Sequence, residues 1–186
     1  FHRARKEHYD FRLEWDGVLL SWAVPKGPSF NPKDKRLAVQ TEDHPIDYAD
    51  FEGVIPKGEY GGGSVLLWDF GWWEEQDDFG KGLKDGSLKL ILHGKRLKGR
   101  WALVRLKKQN EKENNWLLLK EKDDYAKTGI DDFVTSVKTG RTSEEIVAQE
   151  DLSKKTNPFE SVKVQLASLF MTIPKGKDWL FEVKYD

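Results

Sequence analysis

The sequence of 186 residues contains no cysteine. Disulfide bridges and zinc sites built on thiolates are therefore excluded, so any metal site must use nitrogen and oxygen ligands. No uninterrupted apolar run approaches the roughly 20 residues that a membrane-spanning helix needs, and no signal peptide is visible. A chain without cysteine is compatible with a reducing compartment, and we expect a cytoplasmic protein that has no membrane partner.

The net charge is also small, at −1 from 31 basic and 32 acidic residues, which argues against a protein that coats nucleic acid over its whole surface. The charges are unevenly placed, however. Residues 89–108 contain eight basic residues and no acidic one, whereas residues 42–52 contain five acidic residues. A basic segment can follow phosphates through a local, salt-sensitive attraction, although a solvated basic surface is the simpler interpretation of a charge run alone.

What the sequence does contain is a series of short apolar or alternating segments separated by turn residues. Strands are expected at 7–15, 18–24, 36–43, 64–75, 86–94, 99–107 and 115–122. Asp16-Gly17 is a hairpin dipeptide between the first two, whereas 25–35 and 44–63 are expected to be irregular. Helical signal is weak apart from "TSEEIVAQED" (142–151), which begins with a Thr/Ser cap and early acids. We therefore predict a mainly β fold, an antiparallel β-barrel with few short flanking helices.

The composition divides the chain into three parts. Residues 1–137 carry the predicted strands, and residues 138–163 are mostly polar and poor in apolar anchors, as in a linker. Hydrophobicity returns in residues 164–186, which we assign to the start of another domain. The sequence begins at Phe1 and ends at Asp186 in the middle of a pattern, so we expect it to be a piece of a longer protein.

The polar face of the first strand, "EHYDFRLEW" (7–15), carries unusual chemistry for a solvated surface. His8, Asp10 and Arg12 share one parity, and His2 shares it if the chain before the strand is extended. Two imidazoles and one carboxylate suit a divalent first-row metal such as manganese, zinc or iron. Arg12 is a planar donor suited to a phosphate oxygen. A metal and an arginine facing one cavity suggest phosphoryl chemistry.

Spacing alone supports a simpler interpretation equally well. His2 and His8 could be surface residues, and Asp10 and Arg12 could form an ion pair along the strand. His93, in "LHGK", is better interpreted as a strand-end residue than as a ligand. The glycines of "KGEYGGGS" match neither the Walker pattern nor G-x-G-x-x-G, so turn geometry explains them better than phosphate binding.

Four longer segments carry a family resemblance. They are "HYDFRLEWDGVLLSWAVPKGPS", "LAVQTEDHPIDYADFEGVIPKGEYGGGSV", "LHGKRLKGRWALVR" and "NWLLLKEKDDYA". In this order they resemble the 3′-phosphoesterase module of bacterial DNA ligase D, the multifunctional ligase of non-homologous end joining, from Phe1 to about Ala126. The resemblance implies a barrel-like fold with a manganese-dependent site, where cobalt or zinc could replace manganese. It implies an enzyme that trims a 3′-terminal ribonucleotide and removes the remaining 3′-phosphate, leaving a 3′-OH.

The resemblance also implies a set of site residues, namely His2, His8, Asp10, Arg12, Lys26, Arg36, His44 and Tyr48. His2, His8 and Asp10 would bind the metal. Arg12 would hold the phosphate, and His44 would contact it opposite the metal as general acid or transition-state stabiliser. The other three would support the phosphate or the surrounding network. The family has an arm upstream of its first metal-binding histidine that helps on ribonucleotides; the sequence lacks it, so the resemblance implies the phosphatase step more directly than the ribonuclease step.

Each of these residues has an ordinary structural interpretation as well. Lys26 and Arg36 could be solvated charges on a loop or a strand end. Tyr48 could be a packing residue, and His44 could only shape a turn, because it precedes Pro45 and its backbone is restricted. These alternatives remain open from the residues alone.

The last residues, "DWLFEVKYD" (178–186), resemble the opening of the adenylyltransferase domain of ATP-dependent DNA ligases. Lys184 would match the lysine that receives AMP, but the sequence stops before the following glycine. We expect no ligase activity from this chain. As a separate motif, the same residues would more often be an ordinary strand end.

Partners follow from the resemblance only. They would be DNA 3′ ends bearing a terminal ribonucleotide or a 3′-phosphate, ligase and polymerase domains of the parent protein, and the Ku end-binding protein, near the bacterial nucleoid. One alternative function is a non-catalytic nucleic-acid-binding barrel that uses residues 89–108. Another is a ligase fragment defined by its last residues, which ATP-driven labelling of Lys184 would reveal.

Overall fold

The fold is taken from a computed structural model that describes residues 8–56, 62–106, 114–128, 134–156 and 179–185, the last range and 151–156 as backbone only. In chain order the elements are β1 (Tyr9–Trp15), β2 (Val18–Val24), β3 (Arg36–Gln40), β4 (His44–Pro45), a 3-10 helix (Ile46–Tyr48), β5 (Gly53–Ile55), β6 (Gly63–Glu75), α1 (Phe79–Asp85), β7 (Ser87–Gly94), β8 (Lys98–Arg105), β9 (Asn115–Lys120), α2 (Ser143–Thr156) and β10 (Trp179–Tyr185). All seven strands predicted from the sequence are present. No helix within the described ranges is both long and apolar enough to cross a bilayer.

The first hairpin sets the register of the two strands that carry most of the candidate site. Asp16 and Gly17 have φ values of 48° and 81°, as a two-residue turn with left-handed backbone at both positions requires. Trp15 therefore pairs with Val18, and every residue of β1 has a partner on β2. The hairpin predicted from the Asp-Gly dipeptide is confirmed.

The strands pair in antiparallel fashion along a continuous path. From β1 it leads through β10, β6, β7, β8, β9 and β3 to β2, and β2 also pairs with β1. Short β4 lies beside β2, and short β5 pairs with β6. The prediction of a mainly β, antiparallel fold with few helices is confirmed. The barrel itself stays a prediction.

Large aromatic and leucine side chains fill the interior of this sheet. Trp22, Trp73, Trp101 and Trp116 are all completely buried, which explains much of the high tryptophan content, since half-buried pleated surfaces favour aromatic residues. Trp22 and Trp116 meet edge to face, with ring centroids 5.9 Å apart. Such pairs add about 0.5–1.5 kcal/mol beyond the burial of their area.

Both helices have identifiable caps. The side chain of Asp78 accepts a hydrogen bond from the Lys81 amide at 2.8 Å at the start of α1, a helix that the sequence does not predict. At the start of α2, the Glu145 carboxylate accepts from the Thr142 amide, and Thr142 Oγ1 accepts from the Glu145 amide. This reciprocal pair is a capping box. The helix predicted at 142–151 is confirmed.

Two elements fall in the parts of the sequence that we assign to a linker and to another domain. Helix α2 begins within 138–163, and β10 within 164–186 is paired on both sides, with β1 and with β6. The alternating pattern of "WLFEVKY" suits a strand, but its position between β1 and β6 was not anticipated. The proposed domain boundaries stay a prediction, and residues 157–178 lie outside the described ranges.

Candidate active site

Strand β1 is buried on both faces. Phe11 and Leu13 are 1% and 0% exposed on the apolar side, but Asp10, Arg12 and Glu14 are only 9%, 3% and 8% exposed on the polar side. Charged side chains are seldom buried unless they are paired or bind a ligand. The polar face of β1 is therefore not an ordinary solvated face.

Asp10 connects the two neighbouring polar residues of this face. Its Oδ1 lies 3.6 Å from Nε2 of His8, and its Oδ2 accepts a hydrogen bond from Nη2 of Arg12 at 3.1 Å. The three side chains meet because residues two apart on a strand point to the same side. The ion pair along the strand is thus present, and it coexists with the approach of His8 to the same carboxylate.

His8 and Asp10 could hold one metal ion between them. Two atoms that bind one ion at about 2.1 Å lie at most about 4.2 Å apart, and His8 Nε2 and Asp10 Oδ1 satisfy this limit at 3.6 Å. A nitrogen and an oxygen ligand suit a divalent first-row metal. The predicted third ligand, His2, lies outside the described residues, within which no group of three potential ligands occurs. The complete ligand set stays a prediction.

His44 reaches the same face from another part of the chain. It begins the two-residue strand β4 and pairs with Leu19 of β2. Its Nδ1 lies 3.0 Å from Oγ of Ser21, and Ser21 is the register partner of Arg12. Directly paired residues on antiparallel strands project to the same face. The structure therefore brings His44 to the face that carries Asp10 and Arg12.

Tyr48 lies close to both His44 and Arg12. Its ring centroid is 5.9 Å from that of His44, and the Arg12 guanidinium carbon lies 5.3 Å from it. The Phe51 ring also stacks on the Tyr48 ring, at a centroid distance of 4.8 Å. Tyr48 is thus both a packing residue and a neighbour of the two polar groups, with a cation–π contact of about 0.5–2 kcal/mol.

Lys26 and Arg36 are not drawn into contact with these groups by any interaction that the structure describes. Lys26 is exposed in the turn after β2. The guanidinium Nη2 of Arg36 donates to Oδ2 of Asp34 at 3.3 Å, and Ser29 Oγ donates to the same oxygen at 2.7 Å. These contacts order the loop after β2. The proposed roles of Lys26 and Arg36 in the site stay predictions.

Ser21 is the site residue that sequence reasoning missed. It is 1% exposed and stands as a single polar residue within the apolar strand "VLLSWAV". The signal was available, because a two-residue turn at Asp16-Gly17 pairs position 12 with position 21. Placing a hydroxyl opposite Arg12 would have identified Ser21 as a candidate.

The basic stretch 89–108 lies largely at the surface, where Lys89, Lys95, Lys98 and Arg100 are exposed, but several of its side chains make hydrogen bonds within the chain. Four of its side chains donate to backbone carbonyl oxygens: Lys95 to Val137 (2.9 Å), Arg96 to Thr135 (2.7 Å), Arg100 to Lys122 (2.6 Å) and Arg105 to Lys84 (2.5 Å). Arg96 also lies 5.1 Å from the Trp68 ring. These contacts connect strands and loops, so they weaken the interpretation of the stretch as a phosphate-binding surface. Lys107 and Lys108 lie outside the described residues.

Asp69 is a second buried carboxylate, but its surroundings indicate a structural role. Its oxygens accept hydrogen bonds from the amides of Phe70, Arg96 and Leu97 at 2.7–3.0 Å. Burial raises the pKa of Asp69, and these amides and the Arg96 charge only partly oppose the rise. Burial likewise lowers the pKa of Arg96, with Asp69 and Tyr9 opposing it. By accepting from three amides, the Asp69 carboxylate stabilises the turn between β7 and β8.

His93 lies apart from the candidate site. Its ring stacks on Trp72 at a centroid distance of 3.7 Å, and its Nε2 lies 2.7 Å from Oε1 of Glu74. It is the second-last residue of β7, as expected for a strand-end histidine. These contacts account for His93 without a ligand.

Comparison with known proteins decides the family. The family model described as the DNA ligase D 3′-phosphoesterase domain matches residues 1–105, more than half of the chain. The chain belongs to this family. The resemblance predicted from the sequence motifs is confirmed.

Curated relatives of this DNA ligase D phosphoesterase chain are much longer proteins. The multifunctional non-homologous end joining protein LigD of Pseudomonas aeruginosa is 45% identical over 202 residues, which cover the whole chain but 24% of the relative. LigD of Mycobacterium tuberculosis is 53% identical over 104 residues, 56% of the chain and 14% of the relative. The chain therefore spans about a quarter or less of these relatives.

The part of the chain that matches the phosphoesterase family model contains the candidate site. Asp10, Arg12, Ser21, His44 and Tyr48 all lie within residues 1–105. Helix α2 and β10 lie after the matched part. The family assignment and the buried polar face therefore concern the same residues.

Proposed function

We propose that the chain is a metal-dependent DNA 3′-end-healing phosphoesterase of bacterial non-homologous end joining. It would remove a 3′-phosphate and a 3′-terminal ribonucleotide from primer–template ends, leaving a 3′-OH. The observation that carries this proposal is the buried polar face of β1, where Asp10 and Arg12 are less than 10% exposed and His44 approaches by way of Ser21. The curated relatives, which are named as end-joining proteins, support the pathway.

Arg12 would bind the phosphate. Its guanidinium is nearly buried, and Asp10 and the Tyr48 ring orient it. A planar guanidinium donates to two phosphate oxygens at once. In a site with little water its charge acts more strongly on the developing negative charge of the transition state than it would in bulk solvent.

His44 would act on the leaving oxygen. In hydrolysis a water oxygen forms the new bond to phosphorus while the bond between phosphorus and the DNA 3′ oxygen breaks. The departing oxygen needs a proton, and Nε2 of a histidine whose Nδ1 faces Ser21 is the atom that could supply it. General acid help of this kind is worth about 10²–10⁴-fold in rate.

The metal would be manganese, which cobalt or zinc could replace, bound by His2, His8 and Asp10. His8 and Asp10 fit such an ion, as their facing atoms are 3.6 Å apart. When bound, it would supply Lewis-acid chemistry at the phosphate. The chain's own contribution would be to hold His8, directly before β1, beside Asp10 on that strand, with Arg12 two residues after Asp10.

A barrel would form the walls of this site. The proposal that the sheet closes is supported by the pairing of β1 with β2 on one side and with β10 on the other. Among the strands of the described ranges, closure would leave the short β4 and β5 outside the ring of pairings. Strands around a barrel direct alternate side chains inward, which would explain why the polar side chains of β1 are buried.

In the parent protein the chain would work beside ligase and polymerase domains and with the Ku end-binding protein, in the bacterial cytoplasm near the nucleoid. The relatives are named multifunctional, which supports the presence of further domains. For this chain we propose the phosphoesterase activity alone.

The test uses two 5′-labelled primer–templates, one with a primer ending in 3′-phosphate and one ending in a single ribonucleotide. The protein is incubated with manganese or with EDTA. We expect manganese-dependent conversion to 3′-OH, abolished by EDTA and in the His8→Ala variant. His93→Ala is the matched control, because His93 contacts Trp72 and Glu74 outside the site.

Salt-dependent binding of both duplexes without conversion would overturn the proposal and favour the non-catalytic binding module. Conversion of the 3′-phosphate alone would retain the phosphatase and remove the ribonuclease step.

A further inference from the structure

Ser21 holds a position from which it can control which nitrogen of His44 carries a proton. Its Oγ lies 3.1 Å from the carbonyl oxygen of Leu19 and 3.0 Å from Nδ1 of His44. The side chain is 1% exposed, so bulk water does not compete for these two contacts. The backbone is held as well, because the Thr41 amide donates to the Ser21 carbonyl at 3.0 Å.

Proton counting sets the direction of both hydrogen bonds when the two form together. A carbonyl oxygen only accepts, so the hydroxyl donates its single proton to Leu19 O. Towards His44 the same oxygen can then only accept. With both hydrogen bonds made, Nδ1 of His44 carries the hydrogen of that contact.

We propose that Ser21 is a positioning residue that fixes His44 in the tautomer protonated at Nδ1. Nε2 is then the nitrogen that exchanges a proton. The Tyr48 ring, 5.9 Å from the His44 ring at an interplanar angle of 35°, limits rotation of the imidazole about the same contact. Ser21 thereby fixes the ring orientation of His44, so that Nε2 is the nitrogen available on the face that also carries Arg12.

His93 provides an internal contrast within the chain. Its Nε2 lies 2.7 Å from a Glu74 carboxylate oxygen, which only accepts when it is ionised. His93 is therefore protonated at Nε2, the opposite tautomer. One spectrum should distinguish the two residues.

The direct test is a long-range ¹H–¹⁵N NMR correlation spectrum of the histidine side chains, recorded on the full chain. Manganese is left out of the sample, because its unpaired electrons broaden NMR signals. Spectra are taken about two pH units above the ordinary histidine pKa near 6.5, with His44 assigned from a His44→Gln variant. We expect His44 to show a protonated Nδ1 and His93 a protonated Nε2. Ser21→Ala should shift His44 towards protonation at Nε2, and Ser21→Thr should restore the wild-type pattern. A wild-type His44 protonated at Nε2 overturns the inference.

The effect on rate rests on the proposed function and is measured separately. With the 3′-phosphate substrate, Ser21→Ala should lower kcat about 10–100-fold, as is usual when a group that orients an active residue is lost, with KM changed less than about twofold. Ser21→Thr should recover most of the activity. An unchanged kcat in Ser21→Ala overturns the positioning role. An inactive wild type with the expected tautomers contradicts the proposed function instead.

Discussion

The Asp10 carboxylate accepts a hydrogen bond from the Arg12 guanidinium two residues along the same strand, at 3.1 Å, with side-chain exposures of 13% and 4%. Neighbours at this spacing normally face solvent together. Here the rest of the fold covers them, which concentrates a negative and a positive group in a volume with little water. An anionic ligand entering this volume meets Arg12 already oriented.

Removing Arg12 should destabilise the fold as well as stop catalysis. Arg12→Ala leaves the buried carboxylate of Asp10 without its guanidinium partner, and breaking a buried pair in this way costs about 3–5 kcal/mol. We expect that loss in the free energy of unfolding measured by urea titration. Arg100→Ala is the control, because the Arg100 side chain is 49% exposed and should cost less than about 1 kcal/mol. Equal losses in the two variants would contradict the pairing.

Metal binding should stabilise the chain in a way that depends on His8. A ligand that binds only the folded state adds about 2.7 kcal/mol at 100 times its dissociation constant. Manganese should therefore raise the Tm of the wild type and of His93→Ala, but not of His8→Ala. Differential scanning calorimetry with manganese and with EDTA measures this without any DNA. An equal rise in all three proteins would place the metal elsewhere.

The Tyr48 ring and its hydroxyl can be separated by two substitutions. Tyr48→Phe keeps the stack on Phe51 and the contact with Arg12, whereas Tyr48→Ala loses both. We expect a loss of about 1–2 kcal/mol in unfolding free energy for Tyr48→Ala, and little loss for Tyr48→Phe. If Tyr48→Phe lowers the rate of 3′-phosphate removal while stability is kept, the hydroxyl belongs to the site. Equal stability of all three proteins would show that the ring contacts contribute nothing.

Acid stability should depend on Asp123. Burial tends to raise the pKa of Asp123, but hydrogen bonds from Lys120 and from the amides of Arg100 and Tyr125 outweigh it and hold the pKa below its usual value. A depressed carboxylate pKa contributes stability that is complete above the unfolded value of about 3.9 and is lost as pH falls through the folded value. Urea titrations between pH 6 and pH 2 should show this loss.

Asp123→Asn should reduce the fall of the free energy of unfolding at acid pH. The quantity to compare is the slope of that free energy with pH. Its absolute value is less informative, because the amide also changes the hydrogen bond to Lys120. An unchanged slope would assign the acid limb to other carboxylates.

Local patterns predicted much of the fold and part of the site. The alternation of β1 and the Asp16-Gly17 turn are short-range signals, so the hairpin and the meeting of His8, Asp10 and Arg12 follow from period two alone. This polar face is buried, and the cavity that it would line stays a prediction. The roles of these residues and the metal itself stay predictions.

Long-range placements could not be predicted in the same way. His44 reaches Ser21 through a strand of two residues at the start of a segment that the sequence predicts to be irregular, and no periodic pattern specifies where such a segment crosses the sheet. The use of Arg96 inside the fold depends on Thr135, 39 positions away in sequence. Lys95 and Arg100 are exposed, as a run of charges suggests, but their hydrogen bonds to the carbonyl oxygens of Val137 and Lys122 could not be predicted from that run.

Strand β10 has a consequence for any shortened form of the chain. It pairs with β1 from Tyr9 to Leu13 and with β6 from Leu66 to Trp73. Ending the chain before Trp179 would leave two unpaired edges facing each other, and open edges recruit strands from other molecules. The strand that carries Lys184 therefore keeps the edges of β1 and β6 paired, and its loss would leave both edges available to strands of other molecules.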